Sequence, residues 1–121
     1  MLAAYDHIKW VQRVTAALDD PAIELDADGI ADPHACRFGA WFDVAGRRQY
    51  GHLPAFVAIE PLHRRIHELA REMLARRDSG MTELARHCAD EIVDTKERIV
   101  ALLGSLRGAL LEAAADEART T

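Results

Sequence analysis

His63 and His67 stand four residues apart in a stretch of helical periodicity, so their imidazoles fall on adjacent turns of one face and can converge on one ion. Upstream, Cys36 adds a thiolate and His7 a third imidazole. Three histidines and a cysteine form the donor set of a tetrahedral Zn2+ site. With all four positions taken by protein, no place remains for a substrate water. That points to an ion held closed, for sensing or stability, and away from catalysis. A zinc hydrolase of the HExxH type would need a glutamate directly after His63, and Arg64 stands there.

The remaining candidates carry less. His34 reads as a surface residue or a donor beside the site, and His52 and His87 as solvent-exposed. Cys88 falls on an apolar stripe and reads as a small buried hydrophobe. Asp6 and Glu60 are candidates to orient ligand imidazoles.

The elements that position these residues should be helices. The chain has 121 residues, one domain's worth, and 50% of them are apolar. Aromatic residues make up only 6%, and 4 Pro and 7 Gly leave long stretches unbroken. A first helix is predicted from Leu2 to Asp19, with Ala3, His7, Val11, Val14 and Leu18 as its apolar stripe and Pro21 as its stop. An imidazole on that stripe needs a hydrogen-bond partner or a metal.

Asp28-Gly29 signals a turn, and Asp32-Pro33 reads as an N-cap followed by proline at the first helical position. A short helix from Pro33 to Phe42 then carries Cys36, whose place near a helix N-terminus should lower the thiol pKa. Gly39 leaves room there for a close approach. Residues Asp43 to Leu53, with Gly46 and Gly51, are expected as a loop. Pro54 opens a helix with Phe56, Ile59, His63, Ile66, Ala70 and Met73 on one face, either starting afresh or kinking at Pro61.

After Asp78-Ser79-Gly80, a last helix begins at Met81, with a stripe of Leu84, Cys88, Ile92, Thr95, Ile99, Leu102, Leu106 and Leu110. It spans roughly 57 Å against about 27 Å for the first helix. The fold expected is all-α: an antiparallel four-helix bundle with an additional short helix carrying the cysteine. Residues 1–121 form a single domain, with 107–121 a helical overhang or frayed tail. Either the last helix breaks near Gly104 and Gly108, or its overhang packs on a second copy; a two-fold dimer is the expectation.

A net charge of −5 argues against nucleic acid or an anionic membrane as a partner. No signal peptide or run of about 18 apolar residues is present, so a cytoplasmic protein with reduced thiols is expected.

Taken together, Asp6-His7, then Cys36-Arg37-Phe38-Gly39-Ala40-Trp41, then Pro54 through His67 resemble the chemoreceptor zinc-binding (CZB) domain, over Tyr5 to about Leu106. The resemblance implies Zn2+ bound by His7, Cys36, His63 and His67, a dimeric helical bundle, and a regulatory role without catalysis. It also implies a signalling partner such as a chemoreceptor or a diguanylate cyclase. Some relatives are linked to sensing hypochlorous acid through the zinc-bound cysteine. Two positions depart from the family pattern without removing a ligand: Ala40 where a basic residue is common, and Leu62 between the proline and the first paired histidine.

Two other readings compete. One is a non-signalling scaffold bundle with a purely structural zinc. The other is a di-iron bundle, which needs bridging carboxylates that Glu60, Glu68, Glu91 and Asp94 are not placed to supply. Nucleophilic hydrolysis is the weakest, because Ser79 and Ser105 lack a convincing local base context.

Overall fold

The computed structural model describes residues 2–20, 22–25, 30 and 32–120, and all regular structure among them is helical. Pro21 and the Asp28-Gly29 turn signal lie outside the described residues. The elements are α1 (Leu2–Ala16), α2 (Arg37–Trp41), α3 (Arg47–Tyr50), α4 (Pro54–Asp78) and α5 (Thr82–Thr120). A 3-10 turn (Pro33–Ala35) precedes α2, and a π-helical turn (Phe42–Gly46) joins α2 to α3. The run from α2 through α3 acts as one helix, which makes a four-helix arrangement.

The longest interface is the α4–α5 hairpin, and α1 packs on α2 and α5. Gly80 turns the hairpin at φ +77°, a conformation other residues rarely adopt. On α4 the predicted face is buried throughout, with Leu69 and His67 added to it. Among the described side chains of α5 the buried stripe departs from the predicted one at Ala85, Ala89 and Leu103, and the side chain of Leu110 lies outside them. Ala85 is fully buried while Leu84 is 51% exposed, and Leu103 is buried where Leu102 is only half-buried. Ala85 and Ala89 present little bulk, which lets α4 lie close. Phe38, Phe56, Ile59, Ile66 and Met73 are almost wholly enclosed, each contributing about 1.5–3 kcal/mol of burial.

Three expected boundaries change. First, α1 ends at Ala16, short of Asp19, because the chain tightens there. Ala17 N–H is shared between Arg13 and Val14 carbonyls, and Leu18 and Asp19 bond three residues back. Arg77 Nη1 then donates to the Ala17 carbonyl at 2.7 Å and closes the end.

Second, residues 43–50 are helical, although a loop was expected from Asp43 to Leu53. Gly46 is not punctuation here. A Cβ at that position would meet the rings of Trp41 at 3.0 Å and Phe56 at 3.1 Å. Third, α4 runs without interruption through Pro61, which lies exposed. The carbonyl that loses its donor there belongs to Val57, itself 61% exposed, so water can replace the missing bond. The last helix also continues unbroken through Gly104 and Gly108 to Thr120.

Candidate metal centre

The polar side chains buried among the described residues are His7, His63, His67 and Thr95. Thr95 is explained locally, since its Oγ1 donates to the Glu91 carbonyl at 2.7 Å. The three histidines instead meet one another at the junction of α1, α2 and α4. The His7 ring lies 4.8 Å from that of His63 and 5.0 Å from that of Phe38. Trp10 stacks on His67 at 4.6 Å and Phe38 packs edge-on against His63 at 4.9 Å, so the imidazoles are walled by aromatic carbon.

Cys36 enters differently from the expectation. The segment Pro33–Ala35 is a 3-10 turn capped by Asp32, whose side chain accepts from His34 N–H at 2.9 Å. Cys36 is extended (φ −80°, ψ 159°) and is the N-cap of α2, not a residue within it. Its Sγ accepts from Gly39 N–H at 3.3 Å and lies 3.1 Å from the Pro33 carbonyl, which a thiol S–H can reach. Gly39 is required here: a Cβ would collide with the Pro33 carbonyl oxygen. The cysteine turn therefore folds back onto the start of its own helix.

One nitrogen from each of His7, His63 and His67 and Sγ of Cys36 all lie within 4.8 Å of one another. Sγ is 3.3 Å from His63 Nε2, and His63 Nε2 is 3.1 Å from His67 Nε2. Bonds of about 2.0–2.3 Å at tetrahedral angles separate ligand atoms by roughly 3.3–3.6 Å, so small shifts would seat an ion. His7 Nε2 is buried with no hydrogen-bond partner among the described residues. Such an orphan costs about 1–3 kcal/mol, and a cation at the centre would use its lone pair. The donor set fits a single metal ion such as Zn2+, with soft sulfur and borderline nitrogen and no carboxylate.

Electrostatics favour neutral ligands. Burial, and then the neighbouring His67, pushes His7 down to about 3. Burial first, followed by the other three nearby histidines, pushes His63 down to about 2. Both keep free lone pairs at neutral pH. Cys36 contradicts the lowered thiol pKa expected from a helix N-terminus. Burial raises it, outweighing the backbone N–H groups of Gly39 and Phe38 that pull the other way. A cation is what would make this sulfur a thiolate.

The other candidates stand apart. His34 is exposed and pairs with Asp43 at 2.7 Å, and His52 and His87 are exposed. Asp6 meets Arg37 at 3.5 Å, and Glu60 meets Arg64 at 3.1 Å. Glu68 and Glu91 both pair with Arg65 on the surface, away from any bridging position. Cys88 is buried on α5 with a thiol pKa raised mainly by burial, and both cysteines are free. Sequence reasoning missed one contact: the Ile30 carbonyl, 3.1 Å from His67 Nδ1. A backbone atom leaves no side-chain signal.

No helix of the described residues is long and apolar enough to cross a membrane. No curated protein and no solved structure matches the chain. The profile of the chemoreceptor zinc-binding domain matches residues 7–74, more than half of the sequence. The match opens on His7 and closes beyond His67, so it spans the whole cluster. A sensory, non-catalytic module agrees with a centre that offers a metal four protein donors, and the chain belongs to the chemoreceptor zinc-binding domain family.

Proposed function

We propose that His7, Cys36, His63 and His67 hold one Zn2+ and that this centre regulates a signalling partner. The observation that carries the reading is the convergence of four donors from three separate elements, with His7 Nε2 otherwise unpartnered among the described residues. A bound Zn2+ supplies the positive charge that keeps the Cys36 sulfur a thiolate. His7 then ties α1, Cys36 the cysteine turn, and His63 with His67 the long α4 to one point. Losing any donor loosens that tie and shifts how α1 and α4 pack against α5.

Two inputs fit this arrangement. Zinc concentration is one. The other is a hypohalous acid that adds its oxygen to the Cys36 thiolate, giving a sulfenic acid and halide, so that the sulfur no longer serves as a donor. The output reaches a chemoreceptor or diguanylate cyclase in the cytoplasm, from a homodimer. Support for the dimer comes from α5, which has 39 residues against 25 in α4, an excess of 14 or roughly 21 Å. Val100 is 42% exposed and Leu111 64% exposed on that helix. The domain is proposed to span 1–121, with 107–121 the helical overhang.

The test is titration with a competing chelator while helix content and self-association are followed. A regulatory centre changes one of them as zinc leaves. If neither changes, and a folded Cys36→Ser variant keeps every partner interaction, the zinc is structural and the chain is a scaffold.

A further inference from the structure

We infer that the backbone carbonyl of Ile30 sets the tautomer and aim of His67, so that docking of the connector between α1 and the cysteine turn is linked to metal binding. This rests on the metal-binding reading above for its second half, but not for its first.

A carbonyl oxygen only accepts hydrogen bonds. The 3.1 Å contact between His67 Nδ1 and the Ile30 oxygen is therefore an N–H donated by His67. A metal-ligating imidazole is neutral and carries one N–H, so in that form of His67 Nε2 holds the lone pair. That atom is the one facing His63, at 3.1 Å. The Trp10 indole stacks on the ring at 27° and 4.6 Å and limits its rotation. His67 is only 2% exposed, so water does not compete for Nδ1. An outer hydrogen bond of this kind fixes which nitrogen binds a metal and raises its basicity.

The carbonyl is held by the connector's own packing. The Ile30 side chain is 4% exposed and belongs to the main core cluster, and Leu25 packs against the same core. Arg13 Nη2 donates to the Glu24 carbonyl at 2.6 Å, which fastens the connector to α1. Docking of this segment and a correctly aimed Nε2 then occur together. By linkage, whatever binds the cluster tightens the connector, and whatever undocks the connector weakens the cluster by the same factor.

Two measurements test this. The first is long-range proton–nitrogen NMR of the histidine rings in the chelated wild-type protein, which needs neither a variant nor a metal. His67 protonated at Nδ1 is the expected result, and His67 protonated at Nε2 overturns the proposal. The second compares Ile30→Ala with Ile99→Ala, a core truncation on α5. Ile30→Ala should weaken Zn2+ binding about tenfold, as losses of outer-sphere partners do. Ile99→Ala should leave affinity unchanged while lowering stability comparably. Equal affinities for the two variants overturn the linkage. Failure of every form to bind Zn2+ overturns the linkage together with the metal-binding reading, and the tautomer result still decides the positioning role.

Discussion

Cys36 Sγ lies 3.3 Å from His63 Nε2, across 27 residues of sequence. Nothing in α4 alone brings them together. The contact exists because the 3-10 turn at Pro33–Ala35 folds against Gly39 and delivers an N-capping cysteine to the face of α4.

Gly39→Ala should therefore disturb the centre without touching a donor. The added methyl meets the Pro33 carbonyl, and overpacking of this kind costs about 1–3 kcal/mol. Chemical denaturation should show that loss, and zinc affinity should fall with it because the cysteine turn must shift. Unchanged stability and affinity would mean that the turn does not place the sulfur.

Acid should destabilise the chelated protein in a defined window. His7 and His63 sit at about 3 and about 2 when folded, against 6.5 when unfolded. Between those values the unfolded chain binds more protons, so stability is complete above about pH 6.5 and declines as pH falls toward about 3. The slope is up to about 1.4 kcal/mol per pH unit for each histidine. Urea midpoints at about pH 8, 7, 6 and 5 check this, and a flat profile contradicts it.

Much of this centre was legible before any coordinates. Residue type and helical period place His7, His63 and His67 on buried faces, because a 3.6-residue repeat survives folding intact. The α5 face drifted by one position at Ala85, since a small side chain at a close helix crossing carries little pattern, and at Leu103, since the adjacent Leu102 fits the apolar period as well. The helix over 47–50 was hidden by Gly46 and Gly51, which read as breakers until the Trp41 and Phe56 rings show why Gly46 has no side chain. The thiol pKa was misjudged in sign, because a helix N-terminus is visible in sequence and burial is not.

Zinc uptake near neutral pH should release about one proton per ion. His7 and His63 are already neutral, so if His67 enters as a neutral ligand too, only the Cys36 thiol must ionise. Calorimetry in buffers of different ionisation enthalpy measures the number. A value of about two or more would mean that histidines titrate on binding.

Self-association should depend on the exposed apolar side of α5. Val100→Glu with Leu111→Glu should shift sedimentation toward monomer, since both residues face solvent in the single chain. A wild-type chain that is monomeric at tens of micromolar would contradict the dimer.

Metal analysis by mass spectrometry, on protein purified without added metal, tests the central claim most directly. The account predicts about one zinc per wild-type chain and a sharp loss in His63→Ala and Cys36→Ala variants that remain helical. Wild-type protein without zinc, or variants that retain it fully, would contradict the account.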